Sequence, residues 1–330
     1  MATRSITAAV TAFMAGCAAL AAPGAMVQAA MAQEYPSQPI HIVVPYPPGG
    51  GADILARDIG QKLGQQYHQP IIIDNRAGAG STIGTEYASR AKPDGYTLLM
   101  ASPGHAINGS LYKHLSFDPV RDFTPIVLAG SGPLVLVMSS SSPINSVKQF
   151  IQAAREKPGT INYASAGTGS SPHLAGELFQ SMAHVKITHI AYKGTAPALT
   201  DLLSGQVQAM FAPVPTVIEL MKSGKLKALG VSSLQPFSAL PDIRPIADDV
   251  SGYEVLQWWG VVAPRGTPQP IVDQLNKDIS AILRQPDMQS KFTVMGAEPG
   301  GQPAAQFDKL IRDEAKKWAD VINTAHIQPE

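Results

Sequence analysis

The sequence predicts an α/β fold of two lobes, each a mainly parallel sheet flanked by helices. Three observations carry this. Strand-like and helix-like segments alternate along the chain. Three apolar runs break into glycine-rich turns that each open a helix: Ile40 to Asp53, Ile71 to Gly84 and Ile161 to His173. Two such loops precede Leu134 and one follows Thr160, so the chain reads as two halves.

In the first half, Ile40 to Val44 is a strand and Ala52 to Leu63 a helix, with Ile54, Leu55, Ile59 and Leu63 near helical spacing. Pro70 to Asp74 is the next strand, Ser81 to Ala91 a helix and Tyr96 to Ala101 a strand. Thr124 to Ala129 and Leu134 to Val137 read as separate apolar strands, parted by Gly132-Pro133. A helix is expected from Val147 to Glu156. Strand logic restarts at Thr160 and continues through Ile187 to Ile190, Val207 to Phe211, Leu226 to Val231 and Val255 to Ala263. Thr267 is expected to cap a helix from Gln269 to Arg284, with Pro268 at its first position. The last helix runs from about Pro303 to Ile322. Leu134 to Met138 and Trp258 to Ala263 are expected to cross between the lobes. This places 33–132 with 262–330 in one lobe and 133–261 in the other.

Residues 1–32 read as an export signal: Arg4, an apolar stretch from Ile6 to Ala22, then Ala30-Met31-Ala32 for a peptidase. A cut after Ala32 leaves 24 basic and 25 acidic residues and discards Cys17, the single cysteine. That removes disulfides, zinc–thiolate sites and cysteine nucleophiles together. Met14-Ala15-Gly16-Cys17 also resembles a lipoprotein signal, so a lipid anchor at Cys17 stays open. No basic stripe points to nucleic acid. The charged fraction of 15% with 45% hydrophobic residues excludes disorder.

Pro45-Tyr46-Pro47-Pro48-Gly49-Gly50-Gly51-Ala52-Asp53 resembles the first-loop signature of the Bug/TctC family. Asn75-Arg76-Ala77-Gly78-Ala79-Gly80 resembles its second-loop motif. Lys92 to Leu99, Tyr192-Lys193-Gly194 and Val262 to Pro268 match in order. The resemblance implies a type II-like periplasmic binding protein, with two crossover strands at a hinge. It also implies a small carboxylate held in the cleft, mostly by backbone amides of the first two loops. It further implies delivery to membrane subunits of a tripartite tricarboxylate transporter. A periplasmic monomer is expected, with no enzymatic activity, cofactor or metal.

Each glycine loop places N–H groups at a helix N-terminus, where an anion is favoured. The candidate contacts in the first loop are Tyr46 as cleft wall, Gly49, Gly50, Gly51 and Ala52. The second loop supplies Ala79, Gly80 and Ser81. Ser102 and His105 follow a strand end, with His105 on a loop. Thr168, Ser170 and Ser171 come from the third loop, where either serine serves as N-cap. Tyr192 and Lys193 follow the strand Ile187 to Ile190; Lys193 either pairs with a carboxylate or is solvated. Ala212 stands where many relatives carry an acid able to face a ligand ammonium, which speaks against an amino-acid ligand.

A dinucleotide reading fails on spacing. Gly49 and Gly51 are followed by Ile54, and Gly78, Gly80 and Gly84 are one residue too long. Asp53 and Asp74 read as cap and turn residues. Two other functions stay open: a ligand sensor acting on a membrane histidine kinase, and an exported hydrolase using Ser171 and His173.

Overall fold

The computed structural model describes residues 35–192 and 194–328. The segment expected to be an export signal, Cys17 and Lys193 lie outside the described residues. No helix among the described residues is long and apolar enough to cross a membrane.

The first half lays down β1 (Ile40–Val44), α1 (Gly51–Tyr67), β2 (Ile71–Asn75), α2 (Thr82–Ser89), β3 (Thr97–Ala101) and α3 (Pro103–Leu111). β4 (Phe123–Ser139) leads into α4 (Val147–Glu156), β5 (Asn162–Ser165), α5 (Ser171–Ala183), β6 (Thr188–Ala191) and α6 (Thr195–Ser204). Then come β7 (Ala209–Pro213), α7 (Val214–Lys222), β8 (Leu226–Val231) and β9 (Leu256–Pro264). The chain closes with α8 (Gln269–Leu283), α9 (Pro286–Val294), β10 (Glu298–Pro299) and α10 (Ala304–Thr324).

The sheet runs β2-β1-β3-β9-β4-β7-β5-β6, with β8 and β10 also pairing to β4. Each wing is parallel within itself: β1 with β2 and β3, and β5 with β6 and β7. The joins through β4 and β9 are antiparallel.

β4 corrects the sequence reading. The two apolar runs at Thr124 and Leu134 are one strand of 17 residues. Residues 123–133 pair with β9 and residues 134–138 with β7. Gly132-Pro133 suggested a break because proline cannot donate to a ladder. Register shifts between Pro125 and Val127 and between Leu128 and Gly130 absorb the irregularity. Gly130 and Gly132 admit close neighbours: an added Cβ would meet Phe292 Cε1 at 2.3 Å or the Gly296 carbonyl at 2.4 Å.

The helix after Thr267 starts at Gln269 as expected, but its cap is shifted by one residue. Pro268 is extended and serves as the cap residue, and Gln269 is the first helical residue. Thr267 does not cap, because its Oγ1 donates to the Pro264 carbonyl at 2.8 Å.

One core lies under β1, β3 and β9, with Leu55, Ile59, Leu275 and Ile279 supplied by α1 and α8. Another collects β4, β5, β7, α4 and α5. α10 serves two cores because its buried residues repeat at helical spacing over 21 residues. Phe307 and Ile311 pack near Trp258, while Trp318, Val321 and Ile322 join Phe179 and Phe211.

Candidate functional site

The three glycine loops meet α3, a segment the sequence reading left as loop. At its start, the Tyr46 hydroxyl and Ser102 Oγ lie 2.5 Å apart. A Cβ on Gly104 would stand 2.9 Å from the Tyr46 hydroxyl and 3.1 Å from Ser81 Oγ. These groups therefore converge over a bare backbone. Burial raises the Tyr46 pKa, so the phenol stays protonated. One turn on, Asn108 Nδ2 donates to the Gly80 carbonyl at 2.8 Å and to Ser81 Oγ at 3.0 Å. At its end, Leu111 Cδ2 would stand 2.6 Å from a Cβ on Gly169 of the third loop. α3 thus touches all three loops.

The first loop is tied by Asp53. Its carboxylate accepts from Gly49 N at 2.9 Å, from Arg57 at 2.9 and 3.0 Å, and from Asn75 Nδ2 at 2.8 Å. Arg57 is the largest influence, and the set takes the Asp53 pKa down to about 2 against the opposing effect of burial. The three glycines have different reasons to be glycine. Gly49 has φ +88°. A Cβ on Gly50 would meet only the Pro47 carbonyl, at 3.9 Å, so this position faces open space. A Cβ on Gly51 would meet Trp259 Cζ2 at 2.8 Å. Gly50 itself is extended at φ −80°, so a side chain there would obstruct approach without straining the turn. The N–H groups of Gly50, Gly51 and Ala52 find no acceptor among the described residues.

The second loop is left-handed over four residues: Gly78, Ala79, Gly80 and Ser81 have φ of 133°, 44°, 61° and 82°. Ala79 and Ser81 carry a Cβ, and each such residue costs about 1–3 kcal/mol unless its surroundings fix it. Here Ser81 N donates to the Gly78 carbonyl, Thr85 Oγ1 donates to the Ser81 carbonyl, and Asn108 holds both sides of the bend. The Ala79 and Gly80 N–H groups remain unspent. Successive bare N–H groups in such a bend form an anion-binding concavity.

In the third loop Ser170 is the N-cap of α5, accepting from His173 N, and its hydroxyl donates to the Gly167 carbonyl at 2.6 Å. Thr168 lies between these anchors, half-buried. Ser171 Oγ donates to Gln257 Oε1 at 3.2 Å. His173 Nδ1 accepts from Gly169 N at 3.0 Å, and its ring stacks on His189 at 3.8 Å. Burial, then His189, takes the His173 pKa down to about 3. Ser171 and His173 thus spend their polar atoms on other partners, which removes the nucleophile–base pair a serine hydrolase needs. Tyr192 joins the same strand end through its N–H to the Ser165 carbonyl, while its hydroxyl is committed to Asp201 at 2.7 Å.

The comparisons agree with this architecture. Residues 55–327 match the model of the tripartite tricarboxylate transporter family receptor, TctC. The chain belongs to the Bug/TctC family. It is 35% identical over 294 residues to protein BugT of Bordetella pertussis, covering 88% of this chain and 90% of that protein. Rhodopseudomonas palustris Rpa4515, solved with adipate, is 36% identical, with a TM-score of 0.77 over 90% of this chain and all of that one. MatC of the same organism, solved with malate, is 31% identical, with a TM-score of 0.73 over 87% and 100%. Bug/TctC proteins are solute-binding receptors, not enzymes.

Two residues expected as ligand contacts sit elsewhere in this Bug/TctC chain. His105 is on α3, buried, with its ring edge-on to Phe123 at 4.9 Å. It follows Gly104 by one residue, a turn of about 100° round the helix away from the face that Gly104 shares with Asn108 four residues on. Burial takes its pKa down to about 4, against the Pro119 carbonyl and Asp118. Ala212 is fully buried opposite Val135, in the core between β4, β7 and α7. Sequence reasoning missed Asn108 and Gln257. Asn108 carried no signal while α3 was read as a loop. Gln257 did carry one, as the single polar side chain in the run Leu256 to Pro264.

Proposed function

We propose that this chain is a periplasmic receptor that captures a small carboxylate between its two lobes. It would deliver that acid to the membrane subunits of a tripartite tricarboxylate-type transporter. The observation that carries the reading is the set of unspent amides in the first two loops, joined through Tyr46, Ser102 and Ser81. Bare N–H groups at helix N-termini stabilise an anion without a fixed cation, so the acid is held reversibly. Gly50, Gly51, Ala52, Ala79 and Gly80 would grip the carboxylate from one lobe, and Ser170 and Ser171 would close from the other. The family supports this, since relatives were solved with adipate and with malate. Residues 1–32 would act as the export signal, with lobes at 33–132 plus 262–330 and at 133–261.

A thermal-shift screen of ligand-free protein against aliphatic, hydroxy and aromatic acids tests the reading. At ligand near 100 times Kd, linkage adds roughly 2.7 kcal/mol of stability. Saturable shifts with unaltered acid recovered afterwards are expected. Folded protein that responds to no acid, or that consumes one, overturns it.

A further inference from the structure

β9 is apolar from Trp258 to Pro264, and Gln257 near its start is half-buried. Successive strand residues alternate faces, so Gln257 and Trp259 share one, about 7 Å apart. Trp259 on that face backs Gly51 of the first loop. Gln257 on the same face accepts from Ser171 Oγ, the first residue of α5 after the third loop. This side chain therefore lies where a strand shared by the two wings meets both loops. The Ser171 hydroxyl gives its proton to Oε1, which fixes the amide. The two protons on Nε2 have no acceptor among the described residues. The Ser171 N–H beside them is also unspent. A half-buried amide that keeps two donors unused is poised for an acceptor from outside the protein.

We propose that Gln257 determines ligand specificity, its Nε2 donating to the end of the acid remote from the carboxylate gripped by the glycine loops. This rests on the carboxylate reading above. Ser171 then acts as a positioning residue for the amide. Acids with a distal oxygen acceptor are selected. Acids ending in a methyl leave Nε2 unsatisfied and are disfavoured.

The test is calorimetry of the full chain with acids matched in length: hexanoate against adipate, and butyrate against succinate. The parent should bind the diacid of the better pair at least tenfold more tightly. Gln257→Leu should erase that gap by weakening the diacid about tenfold, with the monoacid within twofold. Ser171→Ala should narrow the gap only partly. If Gln257→Leu does not fold, Gln257→Glu carries the test: it keeps the shape and replaces the donors with a charge, so the diacid alone should weaken. A gap that survives in the variants, an equal loss on both acids, or no gap in the parent overturns the proposal. Failure of the parent to bind any of the four acids strikes the carboxylate reading itself, and so is distinguishable.

Discussion

At His173 a single imidazole nitrogen decides the fit of a loop. Nδ1 must be unprotonated to accept from Gly169 N. The ring faces His189 from β6 and Glu177 from its own helix, and Glu177 also takes the Tyr163 hydroxyl from β5. The folded pKa of about 3 lies below the ordinary 6.5, so the unfolded chain binds the extra proton between those values. Stability contributed by the neutral ring is complete above pH 6.5 and falls as pH drops towards 3. The slope is roughly 1 kcal/mol per pH unit. Burial raises the Glu177 pKa, and this acts in the opposite sense. The measurement is therefore a difference: unfolding midpoints of the parent and of His173→Gln between pH 6.5 and 4. The parent should lose more stability on acidification than the variant, and parallel curves would refute the assignment. Asp53, depressed to about 2, adds its own loss only below about pH 4. Other residues were less legible. The sequence pointed to Gly49, Gly50 and Gly51 together, but only the fold separates a backbone requirement, an open approach and the Trp259 face.

Among the elements, α3 organises the loops and was the one hidden from sequence. Pro103, Gly104 and Gly109 weaken helix propensity, and no strong apolar period marks the segment. It forms because Ile107 and Leu111 bury into a core and Ser102 places Pro103 at the first turn, where proline is tolerated. β4 was misread for a related reason: Gly132-Pro133 argued for a break, and long-range pairing with β9 overrode it. Strands such as β1, β2 and β3 were legible because each is a short apolar run closed by a turn. Asn108 tests the role of α3. Asn108→Ala removes the donors that hold the Gly80 carbonyl and Ser81 Oγ, at a cost of about 0.5–1.5 kcal/mol for each hydrogen bond lost. Acid affinity should fall severalfold beyond any change in unfolding midpoint. Asn108→Asp, which cannot donate in its ionised form, should behave like Ala near neutral pH. Unchanged affinity in both variants would show that the bend holds itself.

For the whole molecule, the proposed grip by both lobes requires that ligand shift the population towards a closed form. The structure sharpens which indole reports it. Trp258 is fully buried, edge-on to Phe307, and Trp318 donates to Glu314 inside α10. Trp259 backs Gly51 at the first loop. A saturable emission change with a positive acid is expected, accompanied by a more compact scattering profile. Trp259→Phe should lose the optical signal and retain the scattering change. Identical scattering with and without saturating ligand would overturn closure.

α10 links the far end of the chain to its middle. Trp318, Val321 and Ile322 complete a core whose other walls come from Ile107 and Leu111 of α3 and from residues 134–255. A ribosome releases the chain from its beginning, so this core lacks a wall until synthesis is nearly over. Until then the side chains that pack on α10, Phe179 and Phe211 among them, lack that cover. Were residues 1–32 to act as the proposed export signal, late completion of this core would leave time for passage through a translocation pore before the fold locks.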